Sequence, residues 1–220
     1  GGALLAGDLF NLFVAIEMML TASYVLITLG GRVDQVRSSM TYVVISLVAS
    51  SFFLVGISFI YASTATVNLA ELAGRLEQID PGMRLALAVV FLIVFGIKAG
   101  LFPLCFWLPD SYPNAPSPVA AIFAALLTKI GVYAIIRTQT LLFSEVVPTW
   151  MLMSVAVATM LVGVLGAIAQ DDLRRLLSFL IISSIGFMLV GISLFTVLGV
   201  TAAIMYMINQ VLLKSGLFLA

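Results

Sequence analysis

Histidine is missing from all 220 residues, and cysteine occurs once, at Cys105. The first absence removes the commonest metal ligand and the usual neutral-pH proton carrier. The second excludes an internal disulfide and leaves no metal-ligand spacing. The expectation is therefore a chain with no metal and no cofactor. Charge is scarce as well: Asp, Glu, Lys and Arg make up 9%, against about 25% in soluble domains. Ten basic residues balance ten acidic ones, so there is no basic surface to suit nucleic acid. What remains is 63% hydrophobic, with a mean hydropathy of +1.24. These values describe an all-α polytopic membrane protein, whose partner is first of all the lipid bilayer. The opening GGALLAGDLF has no basic stretch that would mark a signal peptide. The chain opens inside one apolar run and closes inside another, GLFLA. One transmembrane domain over 1–220, a fragment of a longer protein, is the expectation.

A spanning helix needs about 20 mostly apolar residues. Seven runs qualify, at roughly 8–29, 40–61, 84–107, 118–137, 149–169, 176–198 and 199–220. The second, MTYVVISLVASSFFLVGISFIY, carries no charge at all. Turn chemistry separates the others: GGRVD, DSYPNAPSP and AQDDLRR. Ser117 before Pro118 reads as an N-cap and a first-turn proline. Within 68–79, Leu69, Leu72, Leu76 and Ile79 recur at helical spacing, opposite Glu71, Arg75 and Glu77. That pattern fits a short interfacial helix or a solvated loop helix. Arg32, Arg37, Arg174 and Arg175 outnumber Arg75, Arg84 and Arg137 across the two sets of loops. The loops after runs one, three and five are expected on the cytoplasmic side.

The basic residues are sorted by type. All seven arginines lie in loops or at run ends, and all three lysines, Lys98, Lys129 and Lys214, lie inside apolar runs. Topology alone would not sort them so. Arginine keeps its proton in proteins, whereas a desolvated lysine can release one. Among the acids, Glu17 sits inside the first run, and Asp8 near its start. Intramembrane charges are costly and usually serve transport. Lys98 and Lys129 bracket the DSYPNAPSP hinge, each about a dozen residues away, hence roughly 17–18 Å along its helix. Antiparallel helices would bring both to one depth, near that of Glu17. A carboxylate beside Lys98 would hold it protonated, and passing the proton on would break the pair. Gly96, Gly100 and Pro103 flank Lys98 in FGIKAGLFP. Such a break is tolerated in a membrane only where it is buried in protein or lines a wet cavity.

Three blocks carry a family resemblance: GDLFNLFVAIEMMLTASYVLITLGG, KAGLFPLCFWLPDSYPNAPSPVAAIFAALLTKIGVYAIIR and DDLRRLLSFLIISSIGFMLVG. Together they resemble the antiporter-like membrane subunits of respiratory complex I and their relatives, most nearly the D-subunit family of Mrp-type multisubunit sodium/proton antiporters. The resemblance covers essentially the whole chain. It implies a fourteen-helix parent, of which this chain holds about the fifth to the start of the eleventh helix, with a broken helix around Lys98. It implies a proton path along Glu17, Lys98, Lys129 and Lys214, supported by Gly96, Gly100 and Pro103. Where the family usually has a histidine four residues before the last lysine, this chain has Gln210. Glutamine can hydrogen-bond but cannot titrate. The implied function is proton translocation within a multisubunit monovalent cation/proton antiporter of the plasma membrane, with the other subunits, protons and cations as partners. A membrane subunit of an NADH-quinone oxidoreductase or related hydrogenase complex is the alternative. Lys214 in a seventh helix also invites a retinal Schiff-base reading, and buried charges a scaffold reading.

Overall fold

A computed structural model describes residues 1–219, the side chain of Asp34 excepted, so Ala220 at the end of the seventh run lies outside it. Among the described residues, seven helices are long and apolar enough to cross a membrane. In chain order the helices are α1 (Gly2–Leu5), α2 (Leu9–Thr28), α3 (Val33–Thr64), α4 (Leu69–Arg75), α5 (Pro81–Ala99), α6 (Trp107–Ser111), α7 (Ser117–Ile122), α8 (Thr128–Leu141), α9 (Thr149–Ile168), α10 (Leu173–Ser193) and α11 (Val197–Leu219). A short 3₁₀ turn, Leu76–Gln78, extends α4, and a π-helical turn, Phe123–Leu127, joins α7 to α8. Helices α2, α3 and α5 pack side by side, α8 lies on α5, α9 and α10 form a hairpin, and α11 packs on α10, α7 and the π turn.

Local chemistry sets the ends. The Asp8 carboxylate caps α2 by accepting from the N–H of Asn11 at 2.7 Å, and Asp80 caps α5 ahead of Pro81. Ser117 does not cap its helix as its sequence context suggests. The helix already begins at Ser117, with Pro116 before it, and the Ser117 hydroxyl instead accepts from Arg174 at 2.7 Å. The last two runs part at 194–196 rather than beside Gly199. Phe195 takes a left-handed conformation (φ 49°), and the Thr196 hydroxyl accepts from the N–H of Gly199 at 3.1 Å.

Helix α4 lies against the bundle. Leu69, Leu72 and Leu76 are buried, while Glu71, Arg75 and Glu77 face outward. Two backbone bonds tie its start to that of α2: Leu9 N–H to the Val67 carbonyl and Leu69 N–H to the Gly7 carbonyl, both 3.0 Å. The outward faces of α2, α3, α9 and α11 carry many exposed apolar side chains, such as Met18, Phe52, Leu165 and Leu212. In water such faces would be a liability; in lipid they are solvated.

Candidate functional site: an ion pair at a helix break

The third apolar run is not one helix. Helix α5 stops at Ala99, and Gly100 takes a left-handed conformation (φ 84°), which is open to glycine at little cost. The N–H groups of Gly100 and Leu101 both turn back to the Gly96 carbonyl at 2.9 Å, a helix-ending arrangement. Gly96 thus supplies the closing acceptor. Pro103 lies beyond the stop, in the irregular stretch before α6, so Gly100 rather than the proline ends the helix. Polar backbone groups freed there find partners in protein. Trp107 donates its indole N–H to the Ile97 carbonyl at 2.9 Å, and the Thr159 hydroxyl of α9 accepts from the N–H of Phe102 at 3.1 Å. Unpaired, each would cost several kcal/mol, about what an orphaned backbone group costs in lipid.

Lys98 sits one residue before this stop and is buried. Its ammonium lies 3.3 Å from the Glu17 carboxylate of α2 and donates to the Ser50 hydroxyl of α3 at 2.9 Å. Ser50 in turn donates to the same Glu17 oxygen. Three helices therefore contribute one group each to a closed triangle. Glu17 is the more open corner, its side chain 24% exposed against 5% for Lys98. Beside Lys98 is a small cavity lined also by Tyr42, Ser46, Trp107, Leu127 and Gly131, with room for about one water molecule.

Lys129 meets a second interruption, which sequence pattern did not reveal. The π turn just before it spaces its hydrogen bonds five residues apart. Lys129 donates to the Ala124 carbonyl at 2.8 Å, and Tyr112 donates to that of Phe123 at 3.2 Å. Lys129 is buried, and among the described residues no carboxylate pairs with it. Gly131 brings α8 against the end of α5: a Cβ there would lie 2.6 Å from the Ala99 nitrogen. The two lysine-bearing helices thus touch at the break. Lys214 and Gln210 lie on the buried face of α11 with Gly199, Ala203 and Phe218. The Gln210 side-chain carbonyl is buried without a partner among the described residues. Among the described residues neither Gln210 nor Lys214 joins an ion pair.

None of the seven arginines is buried. Arg175 pairs with Asp110 at 3.0 Å, and Arg84 with Glu145 at 3.4 Å.

Sequence reasoning missed Ser50 and the π turn. A serine in an apolar run carries no charge to draw attention. The signal available was the spacing of Tyr42, Ser46 and Ser50, which falls on one helical face.

The family described as NADH:quinone oxidoreductase/Mrp antiporter, TM, matches residues 6–220. The Na(+)/H(+) antiporter D subunit of Alkalihalophilus pseudofirmus is 50% identical, over 99% of this chain and 45% of its own length. The protein of the same description from Bacillus subtilis is 42% identical, with the same shares covered. Among solved structures, the Mrp complex from Dietzia sp. superposes on 99% of this chain with a TM-score of 0.92 at 40% identity, covering 41% of the matched chain. A chain of an archaeal membrane-bound sulfane sulfur reductase also reaches a TM-score of 0.92, at 33% identity, covering 99% of this chain and 45% of that one. The chain spans about 45% of the length of the curated relatives.

Proposed function

Because the chain belongs to the NADH:quinone oxidoreductase/Mrp antiporter membrane family, we propose that it is the proton-handling part of a multisubunit monovalent cation/proton antiporter. It is a multi-pass protein of the plasma membrane. The observation that carries the reading is the Glu17–Ser50–Lys98 triangle at the end of α5. Its mechanism follows from electrostatics. While both partners are charged, attraction and the Ser50 hydroxyl hold Lys98 in place. Protonating Glu17 removes the attraction and frees the ammonium. A proton leaving Lys98 has the adjoining α8 beside it, with Lys129 next along the path and Lys214 beyond. Among the described residues Lys129 has only a backbone carbonyl and Thr128 as partners, so nothing anionic there pins it. Gln210 serves as a hydrogen-bonding spacer that does not itself titrate. The partners are other membrane subunits, and the exchanged ion is a monovalent cation such as sodium.

Likeness to the sulfane sulfur reductase chain favours a second reading, in which the same relay serves a redox-driven complex. The site needs no redox centre of its own in either case.

The test is Glu17→Ala and Lys98→Ala in the full-length protein within its assembled complex. Cation/proton exchange in everted vesicles is expected to fall to background while the subunits still co-purify. Loss of assembly with residual exchange would instead make the buried charges a scaffold.

A further inference from the structure

Between the two interruptions lies helix α6, five residues long and wedged between α3 and α10. It opens on Trp107 and is followed at once by Tyr112, and both side chains are buried. We propose that these two rings form a strut that sets Lys98 and Lys129 in register, which makes Trp107 and Tyr112 positioning residues of the relay. The strut rests on the proton-handling reading above and deepens it.

Trp107 holds the break. In a continuing helix the N–H of Leu101 would bond the Ile97 carbonyl. Here it turns back to Gly96, and the Ile97 carbonyl is left over. The Trp107 indole N–H takes it at 2.9 Å. That carbonyl belongs to the peptide joining Ile97 to Lys98, so the indole fixes the backbone that carries the lysine. The Trp107 ring also lines the small cavity beside Lys98.

Tyr112 holds the π turn. Its hydroxyl donates to the Phe123 carbonyl at 3.2 Å. The next carbonyl, that of Ala124, is the one on which Lys129 docks at 2.8 Å. One π turn thus offers adjacent carbonyls to a fixed phenol and to a titratable ammonium. Without the phenol the turn is free to relax toward ordinary helical spacing, and the Ala124 carbonyl moves with it.

The two rings touch. Their centroids are 6.0 Å apart at 71°, an edge-to-face contact. Neither ring has much room. Tyr42 lies 5.0 Å from Trp107 and Phe123 6.0 Å from Tyr112, while the Ser111 hydroxyl ties α6 to the Ser38 carbonyl at 3.3 Å. A short piece packed this closely transmits a displacement instead of absorbing it. When Lys98 moves away from Glu17, the Ile97–Lys98 peptide pulls on the indole. The phenol carries that movement to the carbonyls beside Lys129. Docking of Lys129 is thereby tied to the state of the ion pair without contact between the two ammonium groups.

The experiment uses the full complex in everted vesicles, normalised to assembled protein. Trp107→Phe and Tyr112→Phe each keep a ring and lose the donor. Each is expected to slow maximal exchange about tenfold, the effect of one lost hydrogen bond in the step it supports. The half-saturating cation concentration is expected to stay unchanged. The double variant is expected to lose no more than the worse single one, because one strut can be broken only once. Losses that multiply to about a hundredfold in the double variant overturn the strut, as does a cation affinity that falls along with the rate. Near-normal exchange in Tyr112→Phe, the milder change, overturns it whether or not Trp107→Phe assembles. Glu17→Gln is measured alongside. If it abolishes exchange while the ring variants do not slow it, only the strut is wrong; if exchange survives it, the functional reading itself falls.

Discussion

At the scale of single residues, the decisive contrast is between two cations. Lysine and arginine can both hold an ion pair with Glu17, but only lysine can give its proton away. Lys98→Arg therefore separates charge from chemistry. The complex is expected to assemble with the variant, since the guanidinium can still reach the carboxylate and Ser50. Cation/proton exchange is expected to drop on the order of 100-fold, the lower range for losing a positioned proton-transfer group. Vesicle exchange assays beside a co-purification control check both halves. Near-normal exchange would show that Lys98 only holds helices together. The placement of Lys98, Lys129 and Lys214 inside apolar runs was legible in the sequence, because a charge in such a run stands out. Ser50 was not, because its importance comes from what faces it across two other helices.

At the scale of elements, two helices are interrupted, for different reasons. Helix α5 ends because Gly100 adopts a conformation that costs other residues about 1–2 kcal/mol. The Gly-rich context of Lys98 announced that stop, and the chain has already turned before Pro103. The π turn at Phe123–Leu127 had no comparable signal, since FAALL is ordinary helical sequence. It follows from packing, where Tyr112 and Lys129 supply donors to the Phe123 and Ala124 carbonyls. The contact between the two interrupted helices depends on Gly131. Gly131→Ala would set a methyl 2.6 Å from the Ala99 nitrogen, so one backbone must move. A destabilisation of about 1–3 kcal/mol is expected, the usual size for overpacking. Gly216→Ala, where an added methyl meets nothing within 4 Å among the described residues, is expected to be neutral or to stabilise by up to about 1 kcal/mol. Thermal unfolding in detergent compares the two, and equal midpoints would show that the close approach does not matter to stability.

At the scale of the whole molecule, charges at the two faces contribute little to stability. Asp110 and Arg175 are each about half exposed, so water screens the pair. Asp110→Asn is expected to change stability by less than about 1 kcal/mol, read as an almost unmoved thermal midpoint. A large drop would place that pair in the machinery rather than on the rim. The bundle is held instead by close helix packing. A Cβ at Gly163 would run into the backbone of Ser183, and one at Gly186 would lie 2.5 Å from the Met160 nitrogen. Small residues let α9 and α10 touch where lipid supplies no hydrophobic drive between helices.

The sequence by itself determined that this chain crosses a membrane, that lysines rather than arginines enter it, and that one helix stops beside Lys98. These are local matters: the bilayer demands a length of apolar chain, desolvation makes a charge conspicuous, and a left-handed residue is most often glycine. Only the tertiary structure decided which groups meet. It set Glu17, Ser50 and Lys98 together from α2, α3 and α5. It also turned the charge-free stretch of α3 so that hydroxyls lie on one side of the pair and phenyl rings on the other. The physical reason is that a helix has one buried face, and neighbours drawn from distant parts of the chain choose which face that is.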